Sequence, residues 1–535
     1  MGDFDAGCPR EHSHAKLHPV LPNVLFVTAD QWRGDSLSCA GHPVVRTPNL
    51  DRLAASGTRF ARHFAQAAPC GPSRASLYTG MYLMNHRSAT NGTPLDSRHT
   101  NIALEARKLG YRPALFGYTD TSVDPRTVPP DDERLRQYEG VLPGFDPVCH
   151  LPESNPAAWL TFLRAAGYEI DTEWRRFVDH PVAGYPGVEE WGPHRAPTQY
   201  AARHSQTAFL TDRLVEFVDR NEGAATPPWF AHLSYLRPHP PFYAPEPYNT
   251  MFDPMRVPLP VRAESREVEG AQHRLVAAFV NHPFLTSPDD EKHLRQLRAT
   301  YYGMQAEVDD QLGRVLDHLD ASGAADRTIV VMTSDHGEML GDHFLMHKLG
   351  WFDSSFHVPL IVRDPRTEGD KHRGDVIDDF TEHVDVMPTL LDLLGAEVPL
   401  QCDGRPLSGF LRNAPQGDDT PGWRKEAHFE FDFRDAGSDL LERAFDLNLE
   451  ECSIAVLRDD HGKYVHFAGL PAIFFDLDID PDQLVNRAGD PEYAVSVLAY
   501  AQRMLSWRMQ HQERTLAGMK LTQHAGLVER RAPRR

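Results

Sequence analysis

Two continuous apolar runs, Asn23 to Thr28 and Thr328 to Thr333, are rich in β-branched residues and lack polar alternation, the pattern of strands covered on both faces. Pro113 to Phe116 and Trp229 to Leu236 also read as strands. Helical patterns lie between them. Thr47 and Pro48 suit the cap and first turn of a helix that Gly57 closes, Pro72 and Gly80 bracket a second, and Asn101 to Leu109 forms a third. Thr207 to Asp219 gathers Phe209, Leu210, Leu214, Phe217 and Val218 on one face. His293 to Leu319 carries a stripe of Leu294, Leu297, Tyr301, Met304, Val308, Leu312, Val315 and Leu319, which assigns it to core packing alone.

Strands alternating with helices predict an α/β fold. Pro129 to Tyr200, rich in Pro, Gly and charge with weak periodicity, is expected to form long surface loops with short helices over the mouth of a site. From Glu426 the period shortens. Glu426 to Phe433, Ser453 to Arg458, Lys463 to Phe467 and Ala472 to Leu477 predict an antiparallel sheet, and Glu492 to Leu516 predicts a closing helix. The expected organisation is an N-terminal extension over 1–22, a catalytic α/β domain over 23–420 and a smaller C-terminal subdomain and tail over 421–535.

Composition narrows the partners. The 535 residues suffice for a large core, and a net charge of −21 argues against nucleic acid or an anionic membrane as the ligand. An anionic substrate would therefore need a local cationic site. Six scattered cysteines without a Cys-x-x-Cys pair indicate neither a disulfide framework nor a zinc knuckle and suit a reducing compartment. Met1 to Pro22 lacks the apolar region of a signal peptide, and no stretch reaches the length of a membrane span, so a cytoplasmic location is expected.

The candidate chemistry sits where strands end. Asp30 follows the first apolar run, and Asp335 and His336 follow Thr328 to Thr333, the place where open α/β sheets hold ligands. Cys70 stands at the head of the helix opened by Pro72, where free N–H groups and the macrodipole favour an anion, with Arg74 one turn later on the same side. His239 lies in Arg-Pro-His-Pro-Pro-Phe, a loop stiffened by prolines and suited to a positioned proton donor.

Cys70-Gly71-Pro72-Ser73-Arg74 resembles the Cys-x-Pro-x-Arg signature of the sulfatases, in which a modifying enzyme oxidises the cysteine to formylglycine. The longer stretch to Gly80, with Tyr82-Leu83-Met84-Asn85-His86-Arg87, is more similar to the phosphonate monoester hydrolases, a branch within the alkaline phosphatase superfamily. Val27-Thr28-Ala29-Asp30-Gln31-Trp32-Arg33, the His239 loop, Ser334-Asp335-His336-Gly337-Glu338, Gly341-Asp342-His343 with His347-Lys348, and Phe475-Asp476-Leu477 through Pro491 extend the likeness from about Asn23 to about Leu516.

The resemblance implies a large, mixed, mostly parallel sheet sandwiched by helices, with a smaller C-terminal antiparallel sheet and helix. It implies Asp30, Asp335, His336 and an oxygen on residue 70 as ligands of one divalent ion. An imidazole at 336, where typical sulfatases carry asparagine, shifts the expected ion from calcium to manganese or zinc. Hydrated formylglycine would offer one hydroxyl for in-line attack and a second to drive collapse of the ester. Arg74 and Lys348 would stabilise the transferring group, and His239 would protonate the leaving oxygen. Gln31, Asn91 and Tyr118 are implied substrate contacts, whereas Asp120 stands where relatives tend to have threonine. The expected activity is hydrolysis of phosphonate monoesters and phosphodiesters, with promiscuity toward sulfate and phosphate monoesters. An arylsulfatase, and a metal-binding protein without catalysis, are the alternatives. The implied partners are a small anionic ester, a formylglycine-generating enzyme and further copies of the chain in a tetramer.

Overall fold

A computed structural model of the chain describes residues 21–223, 226–412, 422–435, 437–513 and 515–529. Its centre is an eight-stranded sheet in the order Asp146–His150, Ala114–Gly117, Phe230–Tyr235, Asn23–Ala29, Thr328–Thr333, His357–Arg363, Thr58–Phe64 and Asp375–Glu382. All neighbours run parallel except at His357–Arg363, which is antiparallel to both strands beside it. The expected mixed, mostly parallel sheet is therefore present.

The central strand Asn23–Ala29 shows why its sequence lacks alternation. Leu25, Val27 and Ala29 pack under one face with Leu210 and Leu214 of helix Gln206–Asn221 and Val308 and Leu312 of helix Glu291–Ser322. Val24 and Phe26 pack under the other with Leu77, Tyr78, Leu390 and Leu391. Successive side chains point to opposite faces, so a strand with helices on both sides needs apolar residues throughout.

Pro129 to Tyr200 forms mostly loops and short helices, as expected, and adds one strand that the sequence did not announce: Asp146–His150 is the edge strand paired with Ala114–Gly117, while helix Ala157–Ala165 buries Trp159, Leu160 and Leu163. Pro147 hides that strand in the sequence because proline cannot donate to a ladder and is tolerated only at an edge. Thr47 occupies the cap position of helix Pro48–Ser56, but its hydroxyl is engaged with Ser38, and no side-chain cap bond forms. The cap comes from Asp309 instead, whose carboxylate accepts from the backbone N–H groups of Asn49 (3.0 Å) and Leu50 (2.8 Å). Asp309 belongs to helix Glu291–Ser322, so that helix does more than pack.

The second sheet runs Ile473–Asp476, Gly462–Phe467, Ser453–Arg458, Ala427–Asp432 and Ala67–Ala68, antiparallel except for the last pair. Ala67–Ala68 leads almost directly into helix Cys70–Thr79, so the smaller sheet helps to place Cys70. The two sheets share a core in which Phe64, Phe356 and Phe380 meet Phe429, Phe431 and Phe467. The boundary expected near 420 falls among 413–421, and most of the expected N-terminal extension among 1–20, outside the described residues. Helix Ala494–His511 and a hairpin of Met519–Thr522 with Gly526–Glu529 complete the chain.

Helix Cys70–Thr79 is buried along its whole length and ends at Gly80, whose φ of 68° suits glycine, and where a Cβ would come within 3.0 Å of the Cys402 sulfur. Among the described residues the five cysteines are free thiols. No described helix is long and apolar enough to cross a membrane.

Loss of the Asp309 carboxylate leaves two backbone donors of helix Pro48–Ser56 without a partner. Asp309→Ala is expected to lower unfolding free energy by about 1–2 kcal/mol, read from the urea midpoint at unchanged slope.

Candidate active site

The carboxyl ends of three adjacent strands, Phe230–Tyr235, Asn23–Ala29 and Thr328–Thr333, lie side by side in the middle of the large sheet. Asp30 lies one residue beyond the middle strand, with its N–H bound to the Tyr235 carbonyl at 3.0 Å. Asp335 and His336 lie just beyond the third. The Trp32 N–H donates to the Ser334 hydroxyl at 2.8 Å and locks these two strand ends together.

Arg74 enters from helix Cys70–Thr79 and is completely buried. Its Nε donates to Asp335 Oδ2 at 2.9 Å and its Nη2 to Asp30 Oδ2 at 3.1 Å. Nη1 donates to the Ser234 hydroxyl at 2.8 Å and reaches the Tyr118 carbonyl at 3.3 Å. The guanidinium is thus spent on holding two carboxylates, not offered to the open side. Breaking such a buried pair leaves an uncompensated charge worth roughly 3–5 kcal/mol.

What faces the open side is the remainder of each group. Asp30 Oδ1 is buried and has no hydrogen-bond partner. His336 Nδ1 lies 3.0 Å from the Gly337 carbonyl, which can only accept, so that nitrogen carries the proton and Nε2 presents its lone pair. That Nε2 is 3.8 Å from both Asp30 Oδ1 and Asp335 Oδ1 and 3.2 Å from Cys70 Sγ. One donor atom from each of Asp30, Cys70, Asp335 and His336 lies within 4.8 Å of the others, and all four residues are buried. An orphaned carboxylate oxygen, a second carboxylate and an oriented imidazole form a donor set that fits one divalent cation.

Cys70 does not behave as the helix N-terminus alone suggested. Burial and the nearby Asp30 carboxylate push its thiol well above the ordinary value, with Lys348 opposing, so the unmodified residue is a thiol and a poor nucleophile.

The remaining predicted residues form a rim. Lys348 Nζ donates to Gln31 Oε1 at 2.7 Å, and the Gln31 amide in turn donates to the Glu338 carboxylate. Burial weakens the ammonium form of Lys348, but the carboxylates of Asp30, Asp335 and Glu338 outweigh it and hold the side chain protonated. Tyr118 donates its hydroxyl to Asp30, which ties it to the metal-side carboxylate, while the Arg74 guanidinium sits over its ring at 4.4 Å. The Asn91 carbonyl oxygen accepts the Gly71 N–H at 2.8 Å, so Asn91 serves the first turn of the Cys70 helix.

His239 is half-buried, and its Nδ1 donates to the Pro240 carbonyl at 2.8 Å. Burial and the positive charge of Lys348 hold the imidazole well below its ordinary value. In this state Nε2 is an acceptor. Arg237 supports the loop by donating to the carbonyls of His239 (3.0 Å) and Pro241 (2.7 Å).

Two supporting residues escaped the sequence reading. Glu338 was visible in the Ser334 to Glu338 run, but only the fold shows that it anchors Gln31 while accepting the N–H groups of Leu340 and His347. Tyr301 reads as one more member of an apolar stripe, yet its hydroxyl donates to the Gln31 carbonyl at 2.7 Å. Gln31 has a left-handed φ of 68°, and these contacts hold it there.

The sulfatase family profile matches residues 22–396, and the profile of the N-sulphoglucosamine sulphohydrolase C-terminal region matches residues 341–510. The chain belongs to the sulfatase family. It is 42% identical over 513 residues to the multifunctional alkaline phosphatase superfamily protein PehA of Trinickia caryophylli, covering 92% of this chain and 96% of that one. It also superimposes on the phosphonate monoester hydrolase of Agrobacterium radiobacter with a TM-score of 0.88 and 46% identity, over 96% of this chain and 100% of that one. The phosphonate monoester hydrolase SpPMH from Silicibacter pomeroyi gives 0.87 and 38%, over 95% and 99%. This sulfatase-family chain is therefore a hydrolase of the alkaline phosphatase superfamily that acts on small esters.

The buried charge balance gives a direct test. Arg74→Met removes the positive group between Asp30 and Asp335, and the metal-free variant is expected to lose roughly 3–5 kcal/mol of stability. A divalent cation should restore part of the lost melting temperature in proportion to its concentration. No recovery with any divalent ion would mean that the carboxylates do not share a cation.

Proposed function

We propose that the protein is a formylglycine- and metal-dependent hydrolase of phosphonate monoesters and phosphodiesters, with sulfate and phosphate monoesters as slower substrates. The observation that carries this reading is the convergence of Asp30, Asp335 and His336 on Cys70 at the head of a buried helix, in a chain similar over nearly its full length to phosphonate monoester hydrolases. An arylsulfatase is the nearby reading, since a sulfate ester presents the same tetrahedral anion. A metal-binding protein without catalysis leaves the Lys348–Gln31–Glu338 chain and the His239 loop without a purpose.

Asp30, Asp335 and His336, together with an oxygen on residue 70, would hold the ion. The imidazole donor favours manganese or zinc over calcium. When present, the ion supplies a Lewis acid, and the oxidised residue 70 supplies an oxygen nucleophile that the buried thiol cannot. The chain's own groups do the rest. Arg74 holds both carboxylates oriented toward the cation. Lys348, fixed by Gln31, places a positive charge where negative charge grows on the transferring group. His239 Nε2 has no hydrogen-bond partner among the described residues, and it takes up a proton as an anion binds and passes it to the leaving oxygen. A formylglycine-generating enzyme would modify residue 70, and assembly into a tetramer is part of the same proposal.

Three measurements check this reading. Peptide mass spectrometry of active protein should find residue 70 as formylglycine, and full activity with unmodified cysteine would refute it. Asp335→Asn and His336→Ala should each lose metal and activity together, with occupancy falling by about tenfold or more; full occupancy in both would refute the site. Cys70→Ser keeps one hydroxyl but lacks the second, so it should give a stoichiometric burst and then near-arrest, with the substrate's phosphorus group attached at position 70. Repeated turnover at the parent rate with no trapped adduct would overturn the mechanism.

A further inference from the structure

Asp120 is an acidic side chain beside the site that neither the cation site nor the substrate-holding chain explains. It follows strand Ala114–Gly117 by three residues, takes a left-handed φ of 48°, and is 9% exposed. Its carboxyl group makes no hydrogen bond to any described residue. Its backbone carbonyl borders Gly71, where an added Cβ would lie 3.4 Å from it, so the residue flanks the head of the Cys70 helix.

The groups within electrostatic reach leave it unpaired. Arg74 is committed to Asp30 and Asp335, and those two carboxylates and Glu139 are like charges. Glu139 is itself satisfied by the N–H groups of Glu153 (2.6 Å) and Ser154 (3.0 Å). Cys70, Tyr78, Tyr118 and Tyr138 also lie within reach of Asp120 and carry no positive charge. Across the mouth, half-buried Glu153 faces Lys348. A buried carboxyl without a partner costs free energy, which is tolerated where a site uses it.

Resting on the function proposed above, we infer that Asp120 is a specificity-determining residue that reads the charge of the bound group. Its carboxylate admits tetrahedral anions with one negative charge and penalises those with two. Phosphonate monoesters, phosphodiesters and sulfate esters each present one charge to the site. Phosphate monoesters present two in mildly alkaline solution, and the second charge meets the like charge of Asp120, whose cationic neighbour Arg74 is committed to Asp30 and Asp335.

The test compares two probes that differ in charge and little else, on metal-loaded, modified protein. Burial, opposed by Arg74 and assisted by Asp30 and Glu139, pushes the Asp120 carboxyl up to about 8, so binding is measured at about pH 9, where it is ionised. Inorganic phosphate carries two charges there and dimethyl phosphate one. In Asp120→Asn, inorganic phosphate should bind about tenfold tighter while dimethyl phosphate gains only about threefold, because the repulsion removed scales with the charge of the ligand. The ratio of kcat/KM for a phosphate monoester over a phosphodiester should rise about threefold, with a sulfate ester following the diester. Equal changes for both probes, or none, would show a merely structural role and overturn the inference. Should the asparagine variant fail to fold, Asp120→Ser is read by the same ratio. Failure of the parent to bind or turn over any of these esters would instead sink the proposed function, and this inference with it.

Discussion

The whole site depends on one buried guanidinium. Asp30 and Asp335 approach each other at the ends of adjacent parallel strands, in a place closed to water, and two carboxylates there would repel strongly without a cation between them. Arg74 supplies that cation from a third element and bonds to one oxygen of each. The opposite oxygens are thereby turned toward His336 and Cys70. Positive charge on the protein side and an open donor set on the other are two consequences of the same contact.

The scaffold explains why the contact can be held. Strand Asn23–Ala29 is fixed by parallel neighbours on both sides and by apolar packing on both faces, so Asp30 has little freedom. Helix Cys70–Thr79 is buried throughout, and it emerges from the smaller sheet through Ala67–Ala68. The shared aromatic core between the sheets therefore sets the distance from Cys70 to the strand ends. A C-terminal sheet far away in sequence thus contributes to the geometry of the site through Ala67–Ala68.

The rim is organised by a second chain of contacts. Glu338 holds Gln31, Gln31 holds Lys348, and Tyr301 holds the Gln31 backbone in its left-handed conformation. Each link is a charged or polar group satisfied inside the protein, which keeps Lys348 in place before any ligand arrives and reduces the reorganisation that binding requires. His239 sits apart on a proline-bounded loop steadied by Arg237, where its neutral imidazole can respond to incoming negative charge.

Much was legible in the sequence. The apolar runs, the Pro and Gly that bracket helices, and the acidic residues that follow strands are local features, and local steric and hydrophobic preferences determine them without reference to distant parts of the chain. These signals placed Asp30, Asp335, His336 and Cys70 at element ends, and the motif likeness joined them into one site. Assignment failed where the deciding partner is remote. Asp146–His150 became a strand because an edge was free to receive a segment with proline in it. Asp309 became a helix cap because it faces Asn49 from 260 positions away, while the adjacent Thr47 hydroxyl was already engaged. The contacts that Arg74, Tyr118 and Asn91 make inside the protein, with Asp30 and Asp335, with Asp30, and with the Gly71 N–H, were likewise not legible in the sequence. A residue type declares which bonds it can make, but only tertiary packing decides which partner arrives first and which groups are left over for the ligand.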